Sequence, residues 1–179
     1  SMHPGSDGSP RWSPYGSKLG FISERNNGDG DVWFAWLKKS DWEKSDEQWE
    51  RERAQKDDKK KEKKEKNSKE SDKQDDADDE VASDESDEKV DDEADESVAE
   101  VQIDFDRIYL RLKQVTAMPG NEGEFVFDKD GEMIYFTIGS PGRMNYSNDR
   151  NLYKIRWDGE DIEEIIGVDS GPRSLQMVE

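Results

Sequence analysis

Pro10-Arg11-Trp12-Ser13-Pro14-Tyr15-Gly16-Ser17-Lys18-Leu19-Gly20-Phe21-Ile22-Ser23-Glu24-Arg25 is the stretch from which the fold is read. It passes from an aromatic residue through Ser, Pro and Gly into a short apolar segment. Gly16 supplies the positive φ that a tight turn needs. The segment after it has the aliphatic and aromatic content of a half-buried strand. The same order returns at Phe127-Asp128-Lys129-Asp130-Gly131-Glu132-Met133-Ile134-Tyr135-Phe136-Thr137-Ile138. With Gly16 laid on Gly131, Leu19 falls on Ile134 and Phe21 on Phe136. A second strand follows each time, at 31–37 and 151–157, after a loop five residues longer in the second copy. A closing strand is expected at 107–116 in the first unit and 162–166 in the second, the latter after an Asp158-Gly159 hairpin turn.

Between the second and closing strands of the first unit lies a different kind of sequence. Residues 38–100 hold 15 Lys/Arg and 27 Asp/Glu, a net of −12 out of −19 for the 179-residue chain. The overall 41% charged and 30% hydrophobic content therefore describes an insertion more than a domain. Ser40-Asp41-Trp42-Glu43 has the form of a capping box. Acid-before-base pairs four apart follow (Glu47–Arg51, Glu52–Lys56, Asp57–Lys61, Glu62–Lys66, Glu65–Lys69), so a helix is expected over 41–66. Trp42 and Trp49, seven apart, would share one face of it. Residues 68–100 turn to Asp, Glu and Ser with few apolar groups, and disorder is expected there. Surface loops tolerate such insertions at small entropic cost. A solvated variable loop is the plainer reading beside an acidic interaction tail. Residues 1–9 read as a flexible Gly/Ser/Pro leader, and 168–179 as the start of a further unit.

Without the insertion the two copies lie roughly 50 residues apart, a β-propeller blade length, with about four strands each. Two copies fit a partial propeller and also a generic antiparallel sandwich or meander. The fold class expected is all-β.

The first copy resembles the propeller repeat written P-x-W-S-P-D-G-x-x-I-A-F-x-S-x-R, met here by Trp12, Ser13, Pro14, Gly16, Phe21 and Arg25. The G-x-x-D-I-Y that follows it is met by Gly28 and Asp31-Val32-Trp33. Tyr15 stands where the repeat has Asp. The second copy keeps Asp130, Gly131 and Phe136. This repeat occurs in TolB, in the N-terminal domains of prolyl-oligopeptidase relatives and in tricorn-type peptidases. Ile103, Asp104, Phe105, Ile108 and Arg111 are similar to the I-D-F/L-x-x-I-x-x-R stretch of the propeller region of tricorn-like serine peptidases. The resemblance covers about 110 of the 179 residues. It implies about two blades of a noncatalytic propeller that guides or gates peptide substrate, or supports assembly. The implied partners are a peptide or protein substrate, the remaining blades and peptidase core of a parent chain, and a homo-oligomer of the parent as one option. A TolB-type protein-interaction scaffold without peptidase activity is the alternative.

The residues themselves offer little chemistry. Cysteine is absent and His3 is the one imidazole, so disulfides, thiolate sites and His clusters are excluded. No G-x-S-x-G elbow occurs. Asp128, Asp130 and Gly131 mimic the start of a calcium loop but lack its closing glutamate. No catalytic, cofactor or metal residue is therefore expected. The aromatics Trp33, Trp36, Tyr135, Tyr153 and Trp157 lie on alternating strands and read as core. An acidic pI of about 4.5 argues against nucleic acid, no apolar run reaches membrane-span length, and the compartment stays open between exported and cytoplasmic.

Overall fold

A computed structural model describes residues 5–26, 28–71, 101–139, 150–166, 171–172 and 174–177. The chain divides into two compact units, Ser1–Glu43 with Val98–Glu179, and Lys44–Ser97.

The first unit is built from two four-stranded antiparallel sheets, each with its strands in chain order. The first sheet holds β1 (Asp7–Trp12), β2 (Lys18–Ser23), β3 (Asp31–Trp36) and β4 (Leu112–Gln114). The second holds β5 (Asn121–Phe127), β6 (Met133–Gly139), β7 (Arg150–Arg156) and β8 (Glu163–Ile166). Apart from the helices of the insertion the structure is β, in agreement with the all-β expectation.

The sheets are copies in register as well as in order. Trp12 pairs with Leu19 in the first, and Phe127 with Ile134 in the second. Trp33 faces Gln114 as Tyr153 faces Glu164. Each first hairpin slips by one residue near its open end, between Gly8 and Arg11 in the first and between Glu122 and Phe125 in the second, bounds that differ by one position when Gly16 is laid on Gly131. A bulge in the same hairpin, its bounds within one residue of each other in the two copies, is a stronger sign of repetition than a shared strand count, because bulges are specific local features.

The two sheets pack face to face. Gly20 lies against the second sheet, and a Cβ built on it would stand 2.6 Å from the Phe125 ring and 3.0 Å from that of Phe127. Phe34, Trp36 and Trp157 meet edge to face, with ring centres 5.1 to 6.2 Å apart. The buried Lys18 sits among them, its Nζ 4.8 Å from the Trp36 ring, and donates to the Gly131 carbonyl across the junction at 3.0 Å. Gly20→Ala should therefore lower stability by about 1–3 kcal/mol through overpacking. Urea unfolding of the two proteins measures it, and an unchanged midpoint would contradict this packing.

Several expectations are corrected. The leader is shorter than residues 1–9, because β1 begins at Asp7. The edge position tolerates Pro10, which needs no ladder hydrogen bond there. The expected strand over 107–116 reduces to β4, preceded by a 3-10 turn at Ile108–Leu110. Arg107 at φ 51° takes the backbone out of the extended region at that point.

The helix expected over 41–66 is two helices, α1 (Lys39–Trp42) and α2 (Asp46–Ser71). Ser40 lies inside α1 and caps nothing; the capping box belongs to Ser45 and Gln48. The Ser45 amide donates to Gln48 Oε1 at 2.9 Å and the Gln48 amide to Ser45 Oγ at 3.4 Å. Trp42 and Trp49 thus belong to different helices. Trp49 is buried with the Lys44 ammonium 4.2 Å from its ring, and Trp42 is exposed. Helix replaces the expected disorder as far as Ser71, and the rest of that expectation, 72–100, lies outside the described residues. Residues 171–172 and 174–177 form no strand.

Candidate functional site

The first motif builds a turn. Ser13 Oγ accepts the Lys18 amide at 2.9 Å, the Ser13 amide donates to the Lys18 carbonyl at 3.0 Å, and the Gly16 amide to the Ser13 carbonyl at 3.1 Å. In the second copy Asp128 takes the place of Ser13. Its carboxylate accepts the Met133 amide at 3.1 Å, and the two matching backbone bonds measure 2.8 and 3.0 Å. Asp128 Oδ1 also accepts the Glu132 amide at 2.8 Å, so this oxygen serves the turn twice. Gly16 and Gly131 are both left-handed, at φ 59° and 69°. Tyr15, the departure from the repeat, is left-handed too at φ 62°, with its side chain exposed. A bulky residue is strained there. Tyr15→Gly should raise stability by about 1 kcal/mol, read as a higher urea midpoint; a lower midpoint would show that the ring contributes more than the strain costs.

The Ser23 and Arg25 end of the motif closes the first hairpin onto its own start. Ser23 Oγ donates to the Asp7 carboxylate, and Arg25 donates to both Asp7 oxygens at 2.9 and 3.0 Å. The guanidinium lies 5.1 Å from the ring centres of both Phe21 and Trp33. Arg25 thus spans two partners, Nη2 donating to the Asp7 carboxylate and Nε to Ser23 Oγ at 2.8 Å, with aromatic rings beside it, a planar use that Lys could not fill. Asp7 was hidden because it lies in sequence that reads as leader.

The other stretch forms a clasp where the insertion leaves the sheet. The Asp104 amide donates to the Leu37 carbonyl at 2.9 Å, and the Asp104 carboxylate accepts the Lys39 amide at 2.8 Å. Arg111, with only 2% of its side chain exposed, donates to the Asp104 carbonyl and lies 3.8 Å from its carboxylate. The Arg111 carbonyl in turn accepts the Trp36 amide at 3.0 Å. Asp104 and Arg111 therefore join the two ends of the insertion. Phe105 is exposed and Ile103 and Ile108 are half-buried, so these three take no comparable part.

A pair of acids occupies the opposite end of the sheet junction. Asp31 accepts Gln114 Nε2 at 2.8 Å on one oxygen. Burial, then the Asp29 carboxylate, push its pKa up to about 6, against the opposing Gln114 amide. Glu122 is 4% exposed, and neither of its carboxylate oxygens makes a hydrogen bond of ordinary length among the described residues. Burial pushes Glu122 up to about 7; the nearby Thr116 hydroxyl and its own backbone N–H pull the other way, and Asp31 and Asp29 add to the rise. The Glu122 amide donates to the Gly30 carbonyl at 2.8 Å, and Asn121 Oδ1 accepts the Gly30 amide at 2.9 Å. Nothing in the sequence around Glu122 signals burial, since its strand alternation is broken by the bulge.

Most of these groups hold backbone: Ser13, Asp128, Asn121 and Asp104 each accept a main-chain amide. Among the described residues no three His, Cys, Asp or Glu stand together as a metal would require, and no helix is long and apolar enough to cross a membrane. His3 lies outside the described residues. The aromatics divide. Trp36 and Trp157 are core, Trp33 and Tyr135 are half-buried, and Tyr153 is half-buried and stacks on Phe136 at 5.7 Å. No family model matches the chain, and no curated protein matches it.

Proposed function

We propose that this chain is a noncatalytic β-propeller segment of a tricorn-like serine peptidase, guiding or gating peptide substrate or supporting assembly of the parent protein. The observation that carries the propeller part is the equivalence of the two sheets. They share strand order, register, a bulge in the first hairpin and, at a constant offset, the three turn hydrogen bonds. Successive four-stranded meanders packed face to face are how a radial array is made. The peptidase part is supported by the resemblance of Ile103, Asp104, Phe105, Ile108 and Arg111 to the tricorn stretch, two of which form the clasp.

The second reading is a TolB-type interaction scaffold. It is favoured by the structural use of every motif residue that makes a hydrogen bond. The test is peptide hydrolysis by the purified chain and by its parent. The chain alone should leave fluorogenic peptides intact, and cleavage by it would end both readings. Cleavage by the parent, reduced toward long peptides when this segment is deleted, supports the first. A parent without hydrolysis supports the second.

A further inference from the structure

The first sheet packs on the second with one face; its other face is an open groove. The groove has a volume of about 580 Å3 and is lined chiefly by Pro10, Leu19, Phe21, Ala35, Ile108 and Leu112. The repeat identifies this face. The positions equivalent to Pro10, Leu19, Phe21 and Ala35 in the second sheet are Phe125, Ile134, Phe136 and Ile155. Phe125 pairs with Phe136, and Ile134 with Ile155, so partners across the strands share a side of the sheet. That side is the one turned to Gly20 of the first sheet. All four residues are at most 3% exposed. The groove is therefore the same docking face one repeat earlier, without a covering sheet among the described residues. Trp12 reports the difference directly: it is 56% exposed, whereas its equivalent Phe127 is 5% exposed.

We propose that the groove is the seat of a further four-stranded sheet of the first sheet's kind, one that offers glycine in its second strand and aromatic rings in its third. The existing junction sets those requirements. Gly20 leaves the space filled by the Phe125 and Phe127 rings, and Phe34 and Trp36 supply the rings around it. A second copy of this chain does not meet them. The far face of its second sheet carries Tyr135 at the position of Gly20, Lys154 at that of Phe34 and Arg156 at that of Trp36. The groove thus selects against self-association as well as for its partner, a pairing of attraction with built-in rejection.

The inference rests on the repeat-array part of the proposed function and not on the peptidase part, so peptide hydrolysis leaves it untouched. It is tested by supplying the missing face. Tyr135→Gly with Lys154→Phe and Arg156→Trp should convert a monomer into concentration-dependent, head-to-tail oligomers in sedimentation velocity, because the contact is heterologous. Adding Phe21→Asp in the groove should return it to monomer. Arg156 holds Asp158, Glu160 and Asp161, so Tyr135→Gly with Lys154→Phe alone is the second variant, and circular dichroism reports folding for both. Folded variants that stay monomeric overturn the proposal. So does assembly indifferent to Phe21→Asp, or an unaltered chain that already associates through the groove. Each of these would leave the equivalence of the two sheets standing.

Discussion

Asp104→Ala is expected to destabilise the first unit by about 1–3 kcal/mol, the cost of leaving a buried polar group without its partner. The exposed carboxylate is not where that energy lies. Arg111 is the buried partner, and its Nε and Nη1 make no hydrogen bond among the described residues, so the Asp104 carboxylate is the charge that compensates it. Removing it leaves a buried cation unopposed and also strips the acceptor from the Lys39 amide. A double-mutant cycle separates these losses. Arg111→Met removes the charge and keeps most of the volume, so Asp104→Ala should cost much less in that background. Asp104→Asn, which keeps an acceptor for Lys39, should fall between. If Asp104→Ala costs the same with and without Arg111, the clasp is a capping contact only.

The second large effect is a dependence of stability on pH that runs opposite to ordinary acid denaturation. Asp31 titrates near 6 in the folded protein against an ordinary 3.8, and Glu122 near 7 against 4.5. The folded state therefore binds more protons than the unfolded one between these values, and stability falls as pH rises. The contribution is fully present below about pH 4 and is lost through about pH 6 for Asp31 and pH 7 for Glu122. Glu122→Gln mimics the protonated form permanently. It should match the parent near pH 4 and exceed it near pH 8 by roughly 3 kcal/mol. Chemical denaturation across that range measures the difference. A constant offset between the two proteins at all pH values would show that Glu122 ionises freely in the folded state.

The sequence announces the repeat and hides what surrounds it. Gly16, Gly131, Pro14 and the alternating apolar runs are local signals, and local signals suffice for a hairpin whose turn and strands are consecutive. The offset between the copies also places the insertion correctly between β3 and β4. The insertion's helix start is not decided by local sequence, because Ser40-x-x-Glu43 and Ser45-x-x-Gln48 are equally good boxes by composition. Asp104, already holding Lys39, commits the chain to a short turn before the longer helix can begin. Residues whose roles depend on distant partners were out of reach altogether. Asp7 needs Ser23 and Arg25 to be a strand residue, Lys18 needs Trp36 and Trp157 to be a core residue, and Glu122 needs the other sheet to be buried.

The clasp also makes the β3–β4 connection an exchangeable cassette. In the second sheet the same connection takes the six residues 157–162; in the first it takes residues 37–111. Yet among the described residues of 39–103 none pairs with a strand of the first sheet, since the chain is already gathered at Leu37, Lys39, Asp104 and Arg111. Length within those bounds can grow or shrink while the sheet keeps its register. For a flexible loop the entropic change from 75 residues to six is only about 2 kcal/mol, in favour of the shorter. The same pair of strands is thus joined by six residues in one sheet and by 75 in the other, with the pairing beside the junction kept.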